Sequence, residues 1–229
     1  MRIPFLGLSL VRTKALPAQL ATVNDGRGGW WPIVRESVTG AWQQGVSITV
    51  DNVLTYAALY ACVSLIANDI SKLRVKLVQV DGDGIWTETT NSSFSPVLRK
   101  PNHYQTRITF LQQWLISKLC WGNTYVLKER DNRGVVIALY GLDPQRVKAL
   151  VSPAGDVFYE LKTDWLSGVG EPSVTVPASE IIHDLSTPLY HPLVGVSPIS
   201  ACGLAAVQAL TIQNNSNKFV ANGSNPGGV

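Results

Sequence analysis

The sequence predicts an α+β fold, with a mostly antiparallel sheet, hairpins and three main helices, on three observations. Apolar residues recur at helical spacing in three long stretches. Two runs rich in Val, Leu and Tyr fold back about Asn132-Arg133-Gly134 and Pro153-Ala154-Gly155, which are hairpin-turn sequences. Strands follow helices in blocks, without the strict alternation that builds a parallel sheet. The chain has 229 residues, enough to bury a sizeable core, and its 45% hydrophobic and 15% charged residues describe a globular protein.

Residues 1–50 read as an N-terminal arm and residues 51–229 as one α+β domain that is incomplete at its C-terminus. The arm carries the whole of the net charge of +3, as Arg2, Arg12, Lys14, Arg27 and Arg35 against Asp25 and Glu36. The body is therefore neutral, which argues against a domain whose main surface grips phosphates. Arg12 and Lys14 follow the first short apolar stretch instead of preceding it, and no small-residue cleavage site comes next, so a secretion signal is not expected. No apolar run approaches the roughly 20 residues that span a bilayer, and the expectation is a cytoplasmic chain with no membrane partner. The arm also holds "NDGRGGWWPIV", whose adjacent Trp30 and Trp31 need apolar surface, on their own core or on a neighbouring subunit.

From Val53 to Ile70, Leu59, Val63, Ile66, Ile70 and Leu73 follow one another at spacings of four, three, four and three, one face of an amphipathic helix. "SKLRVKLVQV" then alternates strictly, with Leu73, Val75 and Leu77 on one face and Lys72, Arg74 and Lys76 on the other, and predicts a half-buried strand. That basic face suits contact with a DNA backbone, although a solvated sheet face gives the same pattern. Asp-Gly pairs at 81–84 supply hairpin chemistry. Thr106 is positioned to cap the helix "RITFLQQWLISKLCW", whose stripe is Phe110, Trp114, Leu115, Leu119 and Trp121 and which ends at Gly122-Asn123. The two hairpins come next, then a polar loop over about 163–175. Ser197-Pro198 opens a last helix reaching about Asn222, roughly 37 Å long and rich in small residues. It runs into Pro226-Gly227-Gly228 and Val229, which read as a connector to a further element. Cys62, Cys120 and Cys202 are widely spaced and odd in number, which predicts buried thiols in a reducing compartment.

The chain lacks the usual catalytic signatures. Gly-Lys never occurs, which excludes a P-loop, and the Gly-x-Ser starts at Gly7, Gly45 and Gly195 are followed by Val11, Thr49 and Ile199 where a hydrolase elbow needs glycine. The histidines are His103, His183 and His191. His183-Asp184 with His191 is the best cluster, in a proline-containing loop without the helical spacing of a zinc site, and Glu180 with Asp184 offers an unpositioned carboxylate pair. No catalytic, cofactor-binding or metal-binding residue is assigned and no enzyme activity is expected. Two readings stay open as alternatives: a small metal-dependent hydrolase using the His183/His191 loop, and a non-specific nucleic-acid-binding module acting through Lys72, Arg74 and Lys76.

Taken in order, three blocks resemble the portal protein family of tailed bacteriophages. The first is "GVSITVDNVLTYAALYACVSLIANDISKLRVKLVQ". The second holds Lys100-Pro101-Asn102, Trp121-Gly122-Asn123-Thr124-Tyr125, Leu142-Asp143-Pro144 and Val147, and the third is the opening Gly195-x-Ser197-Pro198 of a long helix. The resemblance covers about residues 40–229 and implies the wing region of such a subunit, short of the stem and clip. It also implies a dodecameric ring of identical subunits at a capsid vertex. Double-stranded DNA would pass through that ring without being read, and terminase, head-tail adaptor and capsid proteins would be its partners. The implied location is the virion, after assembly in the host cytoplasm, with ATP hydrolysis left to the terminase. No cofactor is implied. Trp30 and Trp31 become candidate subunit contacts, and Lys72, Arg74 and Lys76 candidate DNA backbone contacts.

Overall fold

The computed structural model describes residues 21–22, 54–91 and 94–223; Trp30, Trp31 and the closing Pro-Gly turn lie outside the described residues. The helices are α1 (Ala57–Ser71), the short α2 (Ser95–Arg99), α3 (Arg107–Trp121) and α4 (Pro198–Ala221). The strands are β1 (Ala21–Thr22), β2 (Val78–Val80), β3 (Trp86–Glu88), β4 (Asn123–Arg130), β5 (Val136–Leu142), β6 (Val147–Val151), β7 (Val157–Asp164), β8 (Val169–Pro177), β9 (Ile181–Leu185), β10 (Thr187–His191) and β11 (Val194–Val196). Every strand pairing among them is antiparallel, in the orders β5-β4-β9, β1-β6-β7-β8, β2-β3 and β10-β11. The fold is α+β, with the three long helices where the periodicity placed them.

Local chemistry accounts for the element ends. Thr106 Oγ1 accepts a hydrogen bond from the Thr109 amide while Thr109 Oγ1 accepts one from the Thr106 amide, so two amides at the start of α3 are satisfied reciprocally. The β4–β5 turn is held by Asp131, whose Oδ1 accepts from the amides of Arg133 and Val135, both at 2.9 Å. Ser152 does the same for Ala154 and Asp156 in the β6–β7 turn. Both side chains carry out the turn-forming role expected of Asp and Ser.

Strand β4 is central, and both of its faces are covered. Tyr125 and Leu127 enter a core with Leu142, Val147, Ala149, Tyr159, Leu161 and Ile181, which joins the two larger sheets. On the opposite face the Thr124 hydroxyl donates to the Trp114 carbonyl of α3 at 2.7 Å. Asn123 to Leu127 are consequently buried without a break. A second cluster, built on Val63, Cys120, Ile199 and Ala206 with Leu59, Leu119 and Trp121 beside it, holds α1 and the start of α4 against α3.

The structure corrects five expectations. The strand predicted from Lys72 onward begins only at Val78, and Leu73 and Val75 stay 64% and 48% exposed. The β2–β3 hairpin is a two-stranded ribbon exposed on all six residues, so alternation there cannot report a buried face. In α1 the buried residues are Val63, Ala67 and Ser71, while Ile66 and Ile70 on the predicted stripe remain more than two-fifths exposed. The presumed loop at 163–175 is the β7–β8 hairpin, with Asp164 Oδ1 accepting from the Leu166 amide and Ser167 Oγ donating to the Asp164 carbonyl. The presumed histidine loop is β9 and β10. Of the three thiols only Cys120 is buried; Cys62 and Cys202 are exposed. Helix α4 leaves the body of the protein after its first turns, and residues 211–223 are exposed throughout.

Candidate functional site

The residues that carry the resemblance meet at one corner, where α3 turns into β4 and the β11 strand turns into α4. Gly122 ends α3 in the left-handed region at φ +75, and Asn123 opens β4. The Asn123 amide then acts as a strand partner for Gly195, 72 residues away: its Nδ2 donates to the Gly195 carbonyl at 3.1 Å and its Oδ1 accepts from the Gly195 amide at 2.9 Å. Ser197 links the two helices through one hydroxyl, which donates to the Leu119 carbonyl of α3 at 2.6 Å and accepts from the Ile199 amide of α4 at 3.0 Å. Helix ends leave such groups without intrahelical partners, and here one side chain serves both ends. The approach is close enough to require glycine on both sides. A Cβ at Gly122 would lie 2.3 Å from the Gly195 carbonyl oxygen, and one at Gly195 would lie 2.1 Å from the Gly122 carbonyl oxygen.

Asn102 performs similar work before α3. Buried, it accepts from the amides of Tyr104 and Gln105 and donates to the Leu139 carbonyl on β5, while the Leu139 amide donates to the Pro101 carbonyl at 2.7 Å. Asp143 caps the short 3-10 turn at Pro144–Arg146 by accepting from the Gln145 amide. Of these motif side chains Asn102, Asn123 and Ser197 are buried and bond backbone groups, while Asp143 is half-exposed and also pairs with Arg146 at 3.5 Å. Their arrangement fixes corners and offers no reactive group.

His183 lies under the same corner. Its Nε2 is 3.1 Å from Asn123 Oδ1, which only accepts, so Nε2 carries the proton and Nδ1 accepts from the Tyr159 hydroxyl at 3.0 Å. The ring stacks on Tyr125 at 4.4 Å between centroids. Burial pushes its pKa down to about 4, against the opposing charge of Asp184. Asp184 in turn accepts from Lys118 Nζ at 2.7 Å and from Trp114 Nε1 at 2.8 Å, and Glu180 pairs with Arg130 at 2.9 Å. The two carboxylates once read as a pair thus serve different cations. A histidine with both ring nitrogens engaged has no lone pair left for a metal, and no group of three His, Cys, Asp or Glu among the described residues is placed to hold one.

The basic triad is separated from this corner in role and setting. Lys72, just past α1, pairs with Asp69 at 3.3 Å; Lys76 pairs with Glu88 of β3 at 2.6 Å; Arg74 is exposed between them. The hydrogen bond and charge of Lys76, helped by Arg74, hold the Glu88 carboxyl below its usual range. Exposed pairs of this kind contribute little to stability, so both lysines can exchange their carboxylate for another anion at small cost. Sequence reasoning missed Arg99 and Arg107, which stand near this triad. The available signal was the absence of any acid in the first turn of α3, where Arg107 sits instead.

The sequence model of the family described as phage portal protein matches residues 57–229, a span that holds the Asn102, Gly122-Asn123 and Gly195-x-Ser197-Pro198 features. The chain belongs to the phage portal protein family. Within that family, the portal protein of Enterobacteria phage HK97 is 29% identical over 182 residues, which are 78% of this chain and 41% of that protein. A chain in the virion of a native gene transfer agent particle matches with TM-score 0.60 and 20% identity, over 79% of this chain and 47% of its own length. A chain in the neck of that type of particle, computed with C12 symmetry, matches with TM-score 0.56 and 21% identity, over 74% and 43% respectively. At these identities the structural likeness concerns the fold. The chain spans less than half the length of each of these relatives. No helix among its described residues is long and apolar enough to cross a membrane.

Proposed function

We propose that this chain is a structural subunit of a portal ring at a capsid vertex, forming part of the conduit through which double-stranded DNA is packaged and ejected. The observation that supports this most is the family match over residues 57–229, whose distinguishing side chains are spent on holding corners. On this reading the chain performs no catalysis, a terminase hydrolyses ATP, and the head-tail adaptor and capsid proteins are its other partners in the virion, after assembly in the host cytoplasm. The self-association is a closed ring, a dodecamer as for the particle neck with twelvefold symmetry. A ring needs two unlike patches that meet between neighbours. Candidates are Trp30 and Trp31 in the arm of residues 1–50, and the apolar residues left exposed on α1, among them Tyr60, Leu65 and Ile66. Lys72, Arg74 and Lys76 would touch DNA backbone without reading sequence.

Disrupting the gene in the element that carries it tests the proposal. The expected product is heads devoid of DNA, with nuclease-protected DNA restored when the gene is supplied in trans. Normal packaging without the gene would overturn the reading.

A further inference from the structure

Four cations from three separate segments line one open cleft of about 320 Å³: Arg74 and Lys76 ahead of the β2–β3 hairpin, Arg99 in the last turn of α2, and Arg107 at the first residue of α3. Glu88 is the sole acid among the described lining residues, so positive charge is in excess locally even though the body of the chain is neutral overall. Arg107 is fixed in place by Nη1, which donates to the carbonyls of Ser71 and Leu73; those neutral partners leave its charge uncompensated. The first turn of α3 holds no acid, so the positive end of that helix adds to the same field. Hydroxyls complete the lining. Ser95 Oγ accepts from the Asn91 amide and keeps its hydrogen to donate, and Thr90 is exposed beside it.

Cations with neighbouring hydroxyl donors are the chemistry that positions phosphate groups. We propose that this cleft receives consecutive phosphates of a duplex DNA backbone, independently of base sequence. The proposal deepens the DNA-contact part of the function above, extending it from Arg74 and Lys76 to Arg99 and Arg107. Glu88 competes with the phosphates for Lys76, and its removal should strengthen binding.

Fluorescence anisotropy of the chain with a labelled duplex, titrated with NaCl, tests this. Four phosphate contacts predict a loss of affinity of roughly 150-fold between about 50 and 200 mM salt. The double variant Arg74→Ala/Arg99→Ala, with both positions exposed and far-UV circular dichroism checked against the parent, should lose only about 12-fold over the same range. Glu88→Gln should bind the duplex more tightly than the parent. A parental salt slope in the double variant would overturn the proposal, as would salt-independent binding. Capture of poly-glutamate or inorganic tripolyphosphate with no capture of duplex would overturn it too. The packaging phenotype of the gene disruption is read separately, so the cleft can fail while the ring role stands.

Discussion

Replacing Gly122 by alanine probes the corner that joins α3, β4 and α4, and the structure allows its cost to be separated into two parts. The backbone is left-handed there, at φ +75, and a side chain in that region costs about 1–2 kcal/mol. The new Cβ would also stand 2.3 Å from the Gly195 carbonyl oxygen and 2.6 Å from the Ser197 amide, backbone atoms that cannot rotate aside. Relief requires moving β11 away from Asn123, which gives up two hydrogen bonds at about 1 kcal/mol each and strains the Ser186–Gly122 bond beside them. The total is about 4 kcal/mol. Gly134 is the control, because its φ is +81 but a Cβ there would meet nothing within 4 Å. Gly134→Ala therefore carries the backbone cost alone. At about 2–4 °C per kcal/mol for a chain of this size, Gly134→Ala should lower the melting temperature by roughly 2–8 °C and Gly122→Ala by roughly 8–16 °C. Thermal melts followed by far-UV circular dichroism measure both. Equal losses for the two variants would refute the claim that the corner is closed by backbone contact.

Two further predictions rest on burial. His183 titrates near 4 in the folded chain and near 6.5 when unfolded, so between those values the unfolded state binds the additional proton. Stability is full above about pH 6.5 and is lost as pH falls toward 4, by about 2 kcal/mol at pH 5 relative to pH 7.5. Urea midpoints at the two pH values should show this loss, and His183→Gln should flatten it; an unchanged loss in the variant would assign the effect elsewhere. Cys120 is 2% exposed and its thiol is pushed up to about 11, whereas Cys62 and Cys202 are exposed. Mass spectrometry after brief iodoacetamide treatment of the native chain should find adducts on Cys62 and Cys202 and none on Cys120.

What could be read from the sequence was decided within a few residues of chain. Thr106 caps α3 through contacts to Thr109, Gly122 terminates it, and Asp131 and Ser152 build their turns with amides two and four residues on. What escaped was decided by the neighbours an element acquires. Strand β8 contains Glu171 and Pro172 and looks like a polar loop, but it is the edge of its sheet, where a missing amide and a charged side chain are both tolerated. Conversely, Leu73 and Val75 alternate as a buried strand should, yet no layer covers them among the described residues. Burial held for Cys120 and failed for Cys62 and Cys202 for the same reason: an apolar helical setting says nothing about whether that side of the helix meets another element, and among the described residues of α1 and α4 it does not.

The same distinction governs the candidate sites. Asn123 and Gly195 are legible in the sequence only as members of two separate motifs, and it is the fold that brings one amide side chain against both backbone groups of the other residue. Charge behaves likewise. Counted along the chain, the cations of the body cancel its acids, and from that count a phosphate-binding surface looks excluded. Counted in space, Arg74, Lys76, Arg99 and Arg107 face one cleft with Glu88 as the sole acid among its described lining residues, because the hairpin, α2 and the start of α3 fold beside one another. A screened field reaches only about 8–10 Å at physiological salt, so a bound polyanion responds to the charges within that radius and is indifferent to the balance of the whole chain. Net charge therefore does not decide the question of a local phosphate contact, and the salt slope of duplex binding is the measurement that does.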